Sequence, residues 1–173
     1  DAIAETELCG GTRRRVEVET DGRRDKVVFG RDWAKDAARR DFTMNALYMR
    51  RGGEVADLVG GEADAEAGRV GFSGDADQRI RAAYLRILRL FRFHASYGEG
   101  PLDPAALSAS IRLRDGLARL SAERIQAELF KLLVARRAPD VVPEVADTGL
   151  LGRILPIAPD PAAFAAVRPA LPG

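Results

Sequence analysis

The sequence predicts an α+β protein, with a small antiparallel sheet in the first part of the chain and a helical domain after it. Three observations carry this. Between Val16 and Leu58, short β-branched and aromatic runs alternate with turns that contain glycine. From Asp77 onward apolar residues recur at spacings of three and four. A glycine-punctuated seam at Gly71 to Asp77 separates the two patterns, so strands and helices are segregated rather than alternating. The domain boundary is placed there, with residues 1–74 on one side and 75–173 on the other.

Asp1 to Thr12 shows no period and reads as irregular. VEVET and KVVF, within Val16 to Phe29, read as two strands joined around Asp21-Gly22, a dipeptide suited to a hairpin. Asp32 to Arg40 reads as a short helix, with Asp32 as N-cap and two arginines at the negative end of its dipole. Phe42 to Met49 and Glu54 to Leu58 read as a second hairpin turning at Gly52-Gly53, and EADAEAG as one short turn of helix. A single long helix is expected from Asp77 to Tyr97, burying Ile80, Tyr84, Ile87, Leu88, Phe91 and Ala95 on one face.

After a break at Gly98 to Pro101, a second helix is expected from about Pro104 to Arg114, with Leu107 and Ile111 inward. A third starts at Ser121 as N-cap, with Leu120 and Ile125 as a hydrophobic staple and Leu129, Leu132 and Leu133 extending the stripe. Pro139 is expected to close it. A fourth, Asp140 to Thr148, stops at Gly149, and Pro156, Pro159 and Pro161 break the tail.

The 173 residues are 46% hydrophobic and 31% charged, a balance that excludes a disordered or collagen-like chain. The 27 basic and 26 acidic residues leave +1, so net charge is silent on a nucleic-acid partner. One cysteine, Cys9, and one histidine, His94, exclude internal disulfides and a multi-ligand Cys/His zinc site, and nearly exclude a Ser-His-Asp triad. No run approaches the roughly 18 apolar residues of a membrane helix, and the expected location is the cytoplasm. Of the basic residues, 24 are Arg and 3 are Lys. That is either a compositional bias or the planar, bidentate recognition of phosphate and bases at which Arg excels, and position has to decide.

Two constellations could carry chemistry. In RRDFTMNA, Arg40 and Asp41 stand where a helix hands over to a strand, within reach of a ligand, and Asn45 adds a two-way hydrogen bonder on that strand. The competing reading is an Arg-Asp surface pair worth little. On the long helix, Arg86, Arg89 and Arg92 recur every third residue, each about 60° around the axis from the last. They form one slightly spiralling cationic strip, either a clamp for a triphosphate or a solvated face. Glu17, Glu19 and Asp21 alternate on a strand but follow no glycine-rich phosphate loop, which makes them a poor metal site.

Together RRDFTMNAL, DLVGG, LRILRLFRF, LSAERIQAELFKLL and DTGLLGRILP resemble the class II tRNA nucleotidyltransferase and bacterial poly(A) polymerase family, over about Val16 to Pro156. The resemblance implies part of a nucleotidyltransferase head in residues 1–74 and a helical, RNA- and nucleotide-binding neck in 75–173. It implies transfer of nucleotides from CTP and ATP to an RNA 3′ end, most specifically CCA addition to tRNA. Poly(A) synthesis, or a non-catalytic remnant that only binds nucleotide and RNA, is the alternative. By position, Arg40 and Asp41 resemble the family's ribose- and nucleotide-recognising pair, and Arg86, Arg89 and Arg92 its nucleotide-contacting arginines.

Two departures matter. The family's Glu-Asp-x-x-Arg, whose Asp and Arg template the incoming base, reads Ala82-Ala83-Tyr84-Leu85-Arg86. The family's Gly-Gly-x-x-x-Arg-Asp and Asp-x-Asp segment, which binds triphosphate and Mg²⁺, belongs before the stretch at which this sequence starts. Mg²⁺ is therefore an expected cofactor with ligands upstream, no catalytic residue is assigned, and the chain alone is expected to be inactive.

Overall fold

The computed structural model describes residues 33–50 and 52–155 with their side chains, together with positions 160 and 163. It also describes the backbone of three strands nearer the start: β1, Leu8–Cys9; β2, Arg15–Thr20; and β3, Asp25–Phe29. The Asp21-Gly22 turn, the Asp32 cap and the tail prolines lie outside the described residues.

β2 and β3 pair antiparallel, as the hairpin pattern predicts. Leu8–Cys9, read from sequence as irregular, instead pairs antiparallel with β4, Leu47–Arg50, because two residues are too few to show a period. β4 also pairs with β5, Val55–Asp57, giving a three-stranded sheet in the order β1-β4-β5. The short helix is α1, Trp33–Arg39. The strand expected from Phe42 begins only at Leu47, since Thr43–Asn45 form a 3₁₀ turn. Asn45 therefore sits in a turn rather than on a strand, and its Oδ1 accepts from the Phe42 N–H at 3.4 Å.

Asp57 shapes the next corner. Its carboxylate accepts the N–H groups of Val59, Gly60, Gly61 and Glu62 at 2.9–3.0 Å, seating the start of α2, Gly61–Glu66. Those bonds, the Glu62 N–H foremost, hold the carboxyl below its ordinary range.

The long helix is two helices: α3, Ala76–Ala82, and α4, Leu85–Tyr97, broken at Ala83, whose backbone is extended (φ −160°, ψ 102°). Neither proline nor glycine stands there, and alanine is the best helix former, so propensity is overruled by packing. The Tyr84 ring lies against Gly116, where no side chain could be accommodated, and under the Arg119 guanidinium at 5.4 Å. Most of the predicted face survives the break: Ile80, Ile87, Leu88, Phe91 and Ala95 are buried, while Tyr84 is only partly buried against the same core.

Asp103 caps α5, Pro104–Arg112, by accepting from Ala106 N–H at 2.8 Å, and a 3₁₀ turn follows at Arg114–Arg119. α6 is Ala122–Leu133, with Ser121 at its N-cap position but with no cap hydrogen bond from its hydroxyl. Pro139 does not close α6. It lies in the first turn of α7, Ala138–Asp147, where its missing N–H costs nothing, and α8 is Leu151–Ile154. Gly149 takes a left-handed backbone (φ 74°) just past α7.

Phe42 fixes how the two halves meet. It is fully buried, its backbone bridges to Phe72, and its ring stands 5.2 Å from that of Phe72 and 4.9 Å from that of Phe93 on α4. One apolar core thus runs from Phe42, Val70 and Phe72 through α3 to α8. The residue before Phe42 is Asp41, which is carried with it to the face of α4.

A candidate nucleotide-binding site

Asp41 is the centre of the site. Arg86 Nε donates to its Oδ1 at 2.6 Å and Arg89 Nε stands 2.7 Å from its Oδ2, so one carboxylate holds two guanidinium groups. Arg86 and Asp41 side chains are 14% exposed and Arg89 34%, so the clasp is reachable but partly desolvated. Arg86 also donates from Nη1 to the carbonyl of Arg79 at 2.7 Å, across the helix break. The break is what lets α3 and α4 present arginines to the same corner.

Arg79 is the residue that sequence reasoning missed. Its Nε donates to the Ser73 carbonyl at 2.6 Å and its Nη2 to the Ala38 carbonyl, pinning the segment that leads into Asp41. Burial, and then the charge of Arg86, pull its guanidinium below its ordinary value, although Asp41 opposes this. No local signal could reveal it, since Ala38 and Arg79 are 41 residues apart. Two guanidinium groups share the Asp41 carboxylate and the Arg79 guanidinium adds its charge behind them, which leaves a local excess of positive charge suited to an anion.

The remaining predicted residues are placed around this centre. Arg40 turns from Asp41 to the helix that precedes it, donating from Nη2 to Asp36 Oδ2 at 3.0 Å and lying over the Tyr48 ring at 5.7 Å. Tyr48 donates to the same carboxylate oxygen at 2.7 Å, and burial together with that bond raises its phenol to about 12. Arg92 does not join the clasp. It stands 2.7 Å from Glu128 Oε2 and 4.3 Å from the Phe93 ring centroid, tying α4 to α6. Six residues at about 60° per step of three turn Arg92 about 120° from Arg86, enough to face another helix. Thr43 Oγ1 donates to Asp64, whose other oxygen accepts from Arg69, so the RRDFT corner is anchored on α2 as well.

A cavity of about 560 Å³ lies beside this corner, lined by Asp64, Asp75, Asp77, Asp103 and Arg112 among others. Its carboxylates are committed: Asp75 accepts from Gln78 N–H at 2.8 Å, Asp103 caps α5, and Arg112 donates to Asp77 at 2.5 Å. Among the described residues no group of three or more His, Cys, Asp or Glu could hold a metal ion. The described side chains thus do not fit the Mg²⁺ that nucleotidyl transfer calls for.

Residues 3–71 match the family described as "Poly A polymerase head domain", and residues 101–160 that described as "Probable RNA and SrmB-binding site of polymerase A". The mitochondrial CCA tRNA nucleotidyltransferase 1 of Danio rerio is 42% identical over 141 residues, which are 80% of this chain and 33% of that protein. The CCA-adding enzyme of Leuconostoc mesenteroides is 41% identical over 120 residues, 69% of this chain and 30% of that one. The chain therefore spans about a third of the length of the curated relatives it matches. Among solved structures, the Bacillus stearothermophilus CCA-adding enzyme in complex with CTP superposes with a TM-score of 0.73 at 32% identity, over 81% of this chain and 36% of that one. With head and RNA-binding matches on either side of the arginine clasp, and relatives of one kind across both, the chain belongs to the family of class II tRNA nucleotidyltransferases and bacterial poly(A) polymerases.

Proposed function

We propose that this chain supplies the nucleotide- and RNA-positioning part of an RNA 3′-end nucleotidyltransferase, adding CCA to tRNA from CTP and ATP. The observation that carries the reading is the clasp of Arg86 and Arg89 on Asp41, with Arg79 behind it. An incoming triphosphate offers the two guanidinium groups a more highly charged partner than Asp41, and Asp41, released, can accept hydrogen bonds from ribose hydroxyls. Arg40 and Asn45 hold the corner in shape, and Arg92 braces the helix on which the clasp stands. We assign residues 1–74 to the head, whose sheet packs on its own small cluster of Ala37, Ala46, Tyr48 and Ala56, and 75–173 to the neck, the two joined through Phe42, Val70 and Phe72 in the larger core.

Nucleotidyl transfer needs metal-stabilised charge on the attacking and leaving oxygens. The described side chains fit no such ion, so we assign them binding and orientation only, with Mg²⁺ ligated by other residues. A cytoplasmic setting is proposed on composition alone; no helix among the described residues is long and apolar enough to cross a membrane.

The test pairs binding with turnover. Incubated with Mg²⁺, CTP, ATP and tRNA lacking its CCA end, the purified chain should bind nucleotide in equilibrium dialysis yet extend no RNA. Extension would overturn the assignment of positioning alone, and failure to retain any nucleotide would overturn the reading as a whole.

A further inference from the structure

Tyr97 is the last residue of α4 and is 57% exposed, unusual for a ring on the helix that forms the centre of the core. It stands eight residues beyond Arg89 and four beyond Phe93, and such spacings line one face of a helix. Along that face Arg89 lies over the Phe93 ring at 5.8 Å, and the Phe93 and Tyr97 ring centroids are 5.6 Å apart. A continuous stripe therefore leads from the Asp41 clasp to an aromatic surface open to solvent.

Two arginines hold the backbone that follows Tyr97. Arg136 Nη2 and Arg137 Nη1 reach the carbonyl of Gly98, at 3.4 and 2.9 Å, and Arg137 Nη2 that of Gly100 at 3.0 Å. Glu99 is the acidic group there and pairs with Arg136 at 2.6 Å, so Arg136, Arg137 and Glu99 together carry one net positive charge. Eight helical residues span about 12 Å. At about 3.4 Å per stacked base, Tyr97 stands some three bases along a strand from the clasp. Open aromatic rings bordered by arginine are how proteins hold single-stranded nucleic acid without reading its sequence.

We propose that Tyr97 is a stacking platform for a base of single-stranded RNA, holding the acceptor strand in line with the nucleotide at the Arg86–Arg89 clasp. This deepens the nucleotidyltransferase reading and rests on it. Tyr97 is a positioning residue: it touches the strand behind the reacting end and takes no part in the chemistry.

Fluorescence titration of the whole chain with a labelled single-stranded oligocytidylate, alongside separate titration with CTP, tests it. Tyr97→Ala should weaken oligocytidylate roughly five- to hundredfold, the range of one lost base stack, with CTP binding and the salt slope unchanged. Tyr97→Phe should restore RNA binding, because the ring and not the hydroxyl is what stacks. Circular dichroism melting of each variant reports whether it is folded, and Tyr97→Phe keeps the proposal testable if Tyr97→Ala melts. RNA affinity unchanged in Tyr97→Ala, or a Tyr97→Phe variant as weak as Tyr97→Ala, would overturn the platform alone. If the unsubstituted chain binds CTP but no oligocytidylate, RNA positioning falls with it. A tyrosine that instead seats a protein partner would give that unchanged RNA affinity.

Discussion

Asp41 shares its two oxygens between two guanidinium groups, and the asymmetry between Arg89 and Arg92 follows from where each ends. Arg89 is the more open member of the clasp, so Arg89→Ala should weaken all four ribonucleoside triphosphates together and flatten the salt dependence of binding, as loss of a phosphate contact does. Equal affinity at two salt concentrations with and without Arg89 would return that side chain to a structural role. Arg92→Ala should behave differently. It leaves the buried Glu128 with only Lys131, and should cost about 1–3 kcal/mol in urea unfolding while nucleotide binding holds. From the sequence the two arginines are equivalent, three residues apart on one strip. The helical period turns Arg92 away from the clasp, but that Glu128, 36 residues further along the chain, waits there is not something the period tells.

The elements were legible wherever a local signal fixed them. The break at Gly98 to Pro101 announced α5, Gly149 the end of α7, and the apolar spacing the buried face of α4. The break at Ala83 was hidden because its cause is the Tyr84 ring meeting Gly116, a contact between separate elements. The same break lies at the position to which the resemblance assigns base reading. In the family resemblance an Asp three residues before Arg86 templates the base, and here that position is Ala83, partly exposed and extended. Ala83→Asp should therefore add a base-edge contact and raise CTP and ATP over GTP and UTP by about 1–3 kcal/mol, seen as a separation of four titration curves. Curves that stay superimposed would show that Arg86 reads no base here. Close packing of the corner is tested at Gly61, where an added methyl would collide with the Thr43 carbonyl. Gly61→Ala should lower stability by about 1–3 kcal/mol in urea unfolding.

Across the whole molecule one buried titratable group ties the end of α4 to the start of α7. His94 is 1% exposed, and Arg137 Nη1 lies 3.4 Å from its Nε2 while the Arg137 N–H donates to the Ala95 carbonyl at 2.8 Å. Burial, then the Arg137 charge, push its pKa below the ordinary value. The unfolded chain thus takes up this proton first as pH falls. Stability is undiminished above about pH 6.5 and declines as pH drops below it toward the folded pKa. Urea midpoints should show this decline, and His94→Asn should remove it; an equally steep decline in the variant would assign the acid sensitivity elsewhere.

On the proposed reading the Asp41 clasp is a nucleotide site that holds phosphate and ribose without a base template. The most direct measurement is titration of the unsubstituted chain with CTP, ATP, GTP and UTP at low and high salt. Four superimposable curves that weaken together as salt rises are the predicted result, and either a marked preference for CTP and ATP or no binding of any of the four would contradict it.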